Sequence, residues 1–213
     1  MTILVSMQQA VINGDLEAAR ALVKQAIDAG LPPEQILNTG MIAAMAEVGR
    51  RFQANEFFVP EMLVAARAMK GGLELLRPKL IEANVQAIGR VVIGTVQGDL
   101  HDIGKNLVSM MLEGAGFEVI DVGIDVPPEK FVVAIQEYRP GFVGFSALLT
   151  TTMPMIKTSI EAIKAAGLRD GVKIMVGGAP VTASFAKEVG ADIYAPDASS
   201  AATAAKAAVQ ASG

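Results

Sequence analysis

The chain contains a single histidine, His101, and it stands in the run Gly98-Asp99-Leu100-His101-Asp102-Ile103-Gly104-Lys105-Asn106, directly after an apolar stretch at 91–96. An imidazole can serve as general acid or base or as a metal ligand, and a nearby carboxylate can hold its second ring nitrogen. Asp99, two residues before His101, is placed for that. The sequence has no cysteine, which excludes disulfides and thiolate metal sites. Any transition-metal or acid–base role therefore falls first to His101. Two other stretches carry chemistry at suggestive places: Ser146, Leu148, Thr150 and Thr152 in one loop, and the pair Gly177-Gly178 in another.

The elements that must position these residues change character along the chain. Up to residue 83 the apolar spacing is helical. Residues 3–12 form the first helix. Asp15 is an N-cap for a second that carries Leu16, Ala19, Leu22, Val23, Ala26 and Ile27 on one face. Pro32-Pro33 opens a third, and a fourth begins near Pro60 and ends before Pro78. That is the pattern of a four-helix bundle. Residues 84–89 read as a linker, and 90–213 as a second domain. There, short β-branched runs at 91–96, 117–122, 142–146, 173–177 and 191–194 alternate with helical stretches near 103–115, 128–138, 153–166, 180–189 and 198–211. Five βα units in sequence predict an α/β, Rossmann-like (flavodoxin-like) five-stranded parallel sheet of order 2-1-3-4-5. In such a sheet ligands bind at the carboxyl ends of strands 1 and 3. His101 follows strand 1, Ser146 ends strand 3 and Gly177-Gly178 ends strand 4, so the three unusual stretches converge on one sheet edge.

Composition narrows the class. The 213 residues are 52% hydrophobic and 19% charged with a net charge of −4, a globular chain without the basic face that nucleic acid requires. No apolar run approaches a membrane span, and the N-terminus lacks the pattern of a signal peptide, so a cytoplasmic protein is expected.

Several chemistries compete for the histidine loop. A phosphate-binding P-loop needs four residues between its glycines and a Ser or Thr after the lysine; here five separate Gly98 from Gly104, and Asn106 follows Lys105. A triad of Asp99, His101 and Ser146 would want a Gly-x-Ser-x-Gly elbow, and Gly144-Phe145-Ser146-Ala147-Leu148 lacks the second glycine. A phospho-receiver would want an acidic residue where Ser146 stands. The plain alternative is a solvated loop histidine beside an ordinary core hydroxyl and a glycine pair that shapes a strand end. If His101 binds metal, one protein ligand does not hold bare zinc or iron, which take three or four. Such a metal must arrive with its own ligands, in a haem or a corrinoid.

Asp99-x-His101-x-x-Gly104, then Ser146-x-Leu148, then Gly177-Gly178 resembles the three-part signature of cobalamin-binding domains. A helical module followed by a Rossmann-like domain is similar to the corrinoid proteins of methyltransferase systems, such as those for methanol, methylamines and aryl methyl ethers, and to the cobalamin module of methionine synthase. The resemblance implies cobalamin or a related corrinoid, bound base-off with His101 as the lower axial ligand of cobalt. Asp99 would hydrogen-bond the distal imidazole nitrogen, and Thr152, six residues after Ser146, would extend the relay with its hydroxyl. The nucleotide tail would pass Gly104, Ser146, Leu148, Gly177 and Gly178, with Thr150 at the corrin amides and Gly98 and Ile103 also among the cofactor-binding residues. Asp102 would meet the corrin edge or cap the following helix, and the cap is favoured. The helical domain would cover the upper corrin face through Phe52, Val59 and Met62. The implied function is a methyl carrier cycling between cob(I) and methyl-cob(III), a subunit rather than a self-sufficient enzyme. Its partners would be a substrate methyltransferase, an acceptor methyltransferase using tetrahydrofolate or a thiol, and a reductive activase. The alternatives are a cobalamin-dependent sensor or a mutase small-subunit-like module, and the methyl donor stays open.

Overall fold

A computed structural model describes residues 2–211. The chain divides into two compact units, Met1–Ala87 with Gly114–Gly116, and Ile88–Glu113 with Phe117–Gly213.

The first unit is helical. Helix α1 spans Ile3–Ile12 and α2 spans Leu16–Asp28; the Asp15 carboxylate accepts the Ala18 N–H at 3.0 Å, satisfying one of the free amides of the first turn. The third rod is not a plain α-helix. It runs without a break through α3 (Pro33–Gln35), a π-helical segment Ile36–Ile42 and α4 (Ala43–Gln53). The wider turn is visible in the Ala43 N–H, which reaches back five residues to the Asn38 carbonyl. Gly40, inside that turn, lies against α1: a Cβ there would come within 2.5 Å of Met7 Sδ.

Helix α5 corrects one sequence expectation. It runs Val59–Glu82, straight through Pro78, where the sequence reading ended it. Proline removes one ladder hydrogen bond. The buried Leu76 and Leu80 on either side of it hold the helix together across that gap. The stop comes later, where Asn84 adopts a left-handed φ of 54° after the last turn.

The second unit carries β1 (Arg90–Thr95), α6 (Ile103–Gly114), β2 (Glu118–Asp121), α7 (Pro128–Tyr138), β3 (Phe142–Ser146), α8 (Pro154–Ala165), β4 (Lys173–Gly177), α9 (Ala183–Val189), β5 (Ile193–Tyr194) and α10 (Ala198–Gln210). All strand pairs are parallel, in the order β2-β1-β3-β4-β5, as the βα pattern predicts. One sheet face is sealed by apolar packing. Val92, Val96, Val143, Phe145, Ile174 and Val176 join Phe131 of α7, Ile156, Ile160 and Ile163 of α8 and Val189 of α9 in a single buried cluster. Strand side chains alternate, so Thr95, Ser146 and Gly177 point to the opposite face. Register aligns these three across the central strands at their carboxyl ends.

Candidate functional site

The histidine loop is built on a tight turn at the end of β1. The Asp99 N–H bonds the Val96 carbonyl at 3.1 Å and Gly98 has φ of 84°, the geometry of a type II turn, which needs glycine at its third position. The turn sends Asp99 inward, where it is fully buried, and leaves the His101 side chain half-exposed at 50%. Asp99 Oδ1 accepts the His101 backbone N–H at 3.1 Å and lies 2.7 Å from His101 Nδ1. Oδ2 accepts the Leu148 N–H at 2.7 Å, the Thr152 hydroxyl at 2.7 Å and, more weakly, the Leu149 N–H at 3.3 Å. The Thr152 hydroxyl also lies 2.9 Å from the Leu149 carbonyl, but its single proton goes to the charged acceptor, which bonds more strongly.

Burial alone would raise the Asp99 pKa. The hydrogen bonds from the Leu148 amide, the Thr152 hydroxyl and His101 outweigh it and hold the carboxyl well below the usual carboxylate range. An ionised Asp99 only accepts, so Nδ1 of His101 carries the proton. In the neutral ring this leaves a lone pair on Nε2, for which no partner occurs among the described residues. That is the tautomer of a metal-ligating imidazole whose other nitrogen is held by a carboxylate.

The surroundings fit a flat, ligand-bearing macrocycle. Among the described residues no group of three or more His, Asp or Glu side chains is arranged to hold a metal ion, so a metal on Nε2 must bring its other ligands. The histidine loop and the loop whose amides bond Asp99 expose large apolar side chains: Leu100 at 67%, Ile103 at 77%, and Leu148 and Leu149. Such a collar suits an apolar rim more than open water. Gly104 has open space where a Cβ would stand and no left-handed backbone, so the protein itself does not demand a glycine there.

The glycine pair at the end of β4 also answers to the protein's own packing. The sequence reading assigned Gly177 and Gly178 to close passage of a ligand. A Cβ on Gly178 would stand 1.9 Å from the Ala147 carbonyl oxygen, and its φ is 128°. On Gly177 it would lie 3.1 Å from the Ala195 carbonyl. The Ala147 backbone already occupies the place beside Gly178, so the protein requires that glycine whether or not a ligand passes; at Gly177 the contact is only tight. Leu148 likewise acts through its amide, which reaches Asp99, while its side chain is exposed.

The remaining expected residues are placed as follows. Asp102 precedes the first residue of α6; its carbonyl accepts the Asn106 N–H at 2.7 Å and its carboxylate accepts from the Asn106 side-chain amide at 3.1 Å. A negative charge there also suits the helix N-terminus. Thr150 is exposed and Ser146 half-buried. Phe52, Val59 and Met62 belong to the helical unit, where Met62 is fully buried, Phe52 half-buried and Val59 exposed. Sequence reasoning missed three residues of the loop's support. Lys105, set aside with the P-loop, is buried and pairs with the Asp121 carboxylate and Asn106 Oδ1. Thr95, fully buried, donates its hydroxyl to the His101 carbonyl at 2.8 Å. Asp125 accepts the Gly98 N–H at 2.7 Å. Only the turn signal Gly123-Ile124-Asp125 marked that last region in the sequence.

Comparison with known proteins agrees with this geometry. Residues 89–206 match the model of the B12 binding domain, and residues 4–77 match a second model of the same description. The trimethylamine corrinoid protein of Methanosarcina barkeri is 43% identical over 209 residues, covering 97% of this chain and 96% of that protein. The dimethylamine corrinoid protein 1 of Methanosarcina acetivorans is 45% identical over 198 residues, covering 92% of each. Among solved structures, the methanol:cobalamin methyltransferase complex MtaBC from Methanosarcina barkeri aligns with a TM-score of 0.87 at 28% identity, over 98% of this chain and 80% of that one. With a buried carboxylate holding one nitrogen of a half-exposed imidazole, the chain belongs to the B12-binding corrinoid proteins of methyltransferase systems.

Proposed function

We propose that the chain is the methyl-carrying corrinoid subunit of a methylamine methyltransferase system. In this reading His101 Nε2 would hold the cobalt of the corrinoid, with the cofactor's own base displaced. The observation that carries this reading is the His101–Asp99–Thr152 relay, which holds Nδ1 of a half-exposed ring and leaves Nε2 free. When bound, the corrinoid supplies a cobalt centre that alternates between two oxidation levels as it accepts and releases a methyl group. Asp99 orients the imidazole and holds the proton of the neutral ring on Nδ1; Thr152 and the Leu148 amide fix Asp99; Leu100, Ile103, Leu148 and Leu149 hold water off the ring. Gly104, with open space at its Cβ position, and Ser146 would line the cofactor's tail, and Thr150 would meet the ring amides.

The relatives named for trimethylamine and dimethylamine support an amine as methyl donor and favour a carrier over a sensor or mutase module. In this reading a substrate methyltransferase loads the carrier in the cytoplasm. A second methyltransferase passes the methyl to tetrahydrofolate or a thiol, and a reductive activase restores the carrier after oxidation. No helix among the described residues is long and apolar enough to cross a membrane.

The test is reconstitution of wild type and His101→Ala with methylcobalamin, followed by visible spectroscopy. The variant should lose the spectral signature of an imidazole-ligated cobalt; a spectrum identical to wild type overturns the ligand assignment. Methyl transfer from mono-, di- and trimethylamine and from methanol, each with a methyltransferase from the same cell, decides the donor class. Turnover with methanol alone would overturn the amine assignment.

Gly104→Ala separates a ligand's demand from the protein's own. Alanine is the better helix former by about 0.5–1 kcal/mol in a helix, and nothing obstructs its methyl group. The apoprotein should therefore be as stable as wild type or slightly more so in urea unfolding. Corrinoid affinity, followed by titration, should fall at least about tenfold, the order of discrimination that one misplaced methyl produces. Unchanged affinity would remove Gly104 from the site.

A further inference from the structure

We propose that Asp125, on the loop after β2, is a positioning residue for the axial histidine, holding the Gly98–His101 turn through two reciprocal hydrogen bonds. This rests on the reading of His101 as the cobalt ligand. The Asp125 carboxylate accepts the Gly98 N–H at 2.7 Å, and the Asp125 N–H donates to the Asp99 carbonyl at 3.0 Å. Both bonds fall on the turn that throws Asp99 inward and His101 outward. Asp125 reaches them because its own backbone is left-handed, with φ of 50°, a conformation that Asp and Asn tolerate better than other residues with a Cβ.

The loop that carries Asp125 is itself tied to β1. Thr95 donates its N–H to the Gly123 carbonyl and accepts the Val126 N–H, each at 3.0 Å, and the Gly123 N–H bonds Asp121 Oδ1 at 2.9 Å. Asp125 therefore works from a fixed base. Together with the Thr95 hydroxyl on the His101 carbonyl, three backbone groups of the histidine turn (Gly98 N–H, Asp99 C=O and His101 C=O) are held by residues outside it. A ligand loop held this way presents Nε2 in one direction before any metal arrives, which lowers the cost of ordering it on binding.

Asp125→Gly keeps the backbone N–H and the positive φ and removes only the carboxylate, whereas Asp125→Asn keeps an acceptor. In the apoprotein, amide exchange of Gly98 should accelerate at least tenfold in Asp125→Gly, and the His101 Nδ1–H signal should broaden or vanish by NMR. Asp125→Asn should stay within about threefold of wild type. After reconstitution with methylcobalamin, Asp125→Gly should show a mixture of imidazole-ligated and unligated spectra, while Asp125→Asn matches wild type. Wild-type exchange and an intact Nδ1–H signal in Asp125→Gly overturn the proposal, as does equal loss in both variants. Should Asp125→Gly not fold, wild type itself decides: Gly98 must exchange as slowly as the amides inside β1, and open-loop exchange refutes the clamp. His101→Ala, reconstituted alongside, fails separately: if its spectrum equals wild type, the ligand reading is wrong while the exchange data still judge the clamp.

Discussion

Gly178→Ala should be the most damaging single methyl group that can be added to the second unit. Its Cβ would stand 1.9 Å from the Ala147 carbonyl oxygen and 2.8 Å from the carbonyl carbon, and these are backbone atoms that cannot rotate away. The backbone at φ of 128° is also one that only glycine adopts readily. Strain of this kind costs about 1–3 kcal/mol by itself; with the enforced shift of a neighbouring strand end, the loss should be about 3 kcal/mol or more. The displacement has a direction. Ala147 donates its N–H to the Gly177 carbonyl at 3.2 Å and immediately precedes Leu148, whose N–H bonds Asp99. Pushing Ala147 away pulls an amide off the buried carboxylate, so Gly178→Ala should also loosen His101. Urea unfolding of the apoprotein measures the first effect and the His101 Nδ1–H signal the second. Gly171→Ala is the control, since nothing lies within 4 Å of its Cβ and its backbone is not left-handed; it should stay within about 0.5 kcal/mol of wild type. Equal stability of the two variants would show that β3 and β4 can separate at this point without cost.

The order of the sheet was legible because each strand is a short β-branched run and each connection is long enough only for a helix, which leaves few parallel arrangements. The meeting of Asp99, His101 and Thr152 was legible for a related reason: strands 1 and 3 are neighbours in that order, so the loops that follow them must share an edge. What the sequence concealed are effects of packing. Pro78 reads as a stop, yet the buried Leu76 and Leu80 carry α5 past it. The π-helical segment at Ile36–Ile42 has no periodic signature, since seven residues are too few to separate turns of different width. Glycines look alike in a sequence whatever demands them. Gly98 answers to a turn, Gly178 to a neighbouring carbonyl and Gly104 to nothing in the protein, and only coordinates separate the three. Asp125 was hidden because its partners Gly98 and Asp99 lie 27 and 26 residues away in the chain, through contacts fixed by strand register rather than by any local motif.

Asp99→Asn should fold poorly and, where it folds, turn the imidazole's chemistry over. The carboxylate receives donors on both oxygens: the His101 N–H and Nδ1–H on Oδ1, and the Leu148 N–H and Thr152 hydroxyl on Oδ2. An asparagine has one oxygen for these two groups of donors, and its NH₂ must face the other. With the oxygen kept toward Leu148 and Thr152, the NH₂ meets His101. Its least costly response is to move the ring proton to Nε2, so that Nδ1 accepts. That removes the lone pair that faces the rim, and a metal can no longer bind there without displacing a proton. The buried NH₂ still confronts the His101 backbone N–H, so a stability loss of about 2–4 kcal/mol is expected, in the range for breaking a buried charged network. The native carboxyl is held far below its ordinary pKa, so its contribution is complete above about pH 4, the ordinary aspartate value, and is lost as pH falls further toward the folded-state pKa. The gap between wild type and Asp99→Asn should therefore close progressively below pH 4. Nitrogen NMR of the single histidine reads the tautomer directly, and the spectrum after reconstitution with methylcobalamin reads its consequence at cobalt. Thr152→Val removes one donor and leaves the Leu148 amide on Oδ2, so it should cost about 1 kcal/mol and keep the proton on Nδ1. If Asp99→Asn retained the Nδ1–H tautomer and an imidazole-ligated spectrum, the carboxylate would be a structural anchor and the direction of Nε2 would be set by the backbone alone.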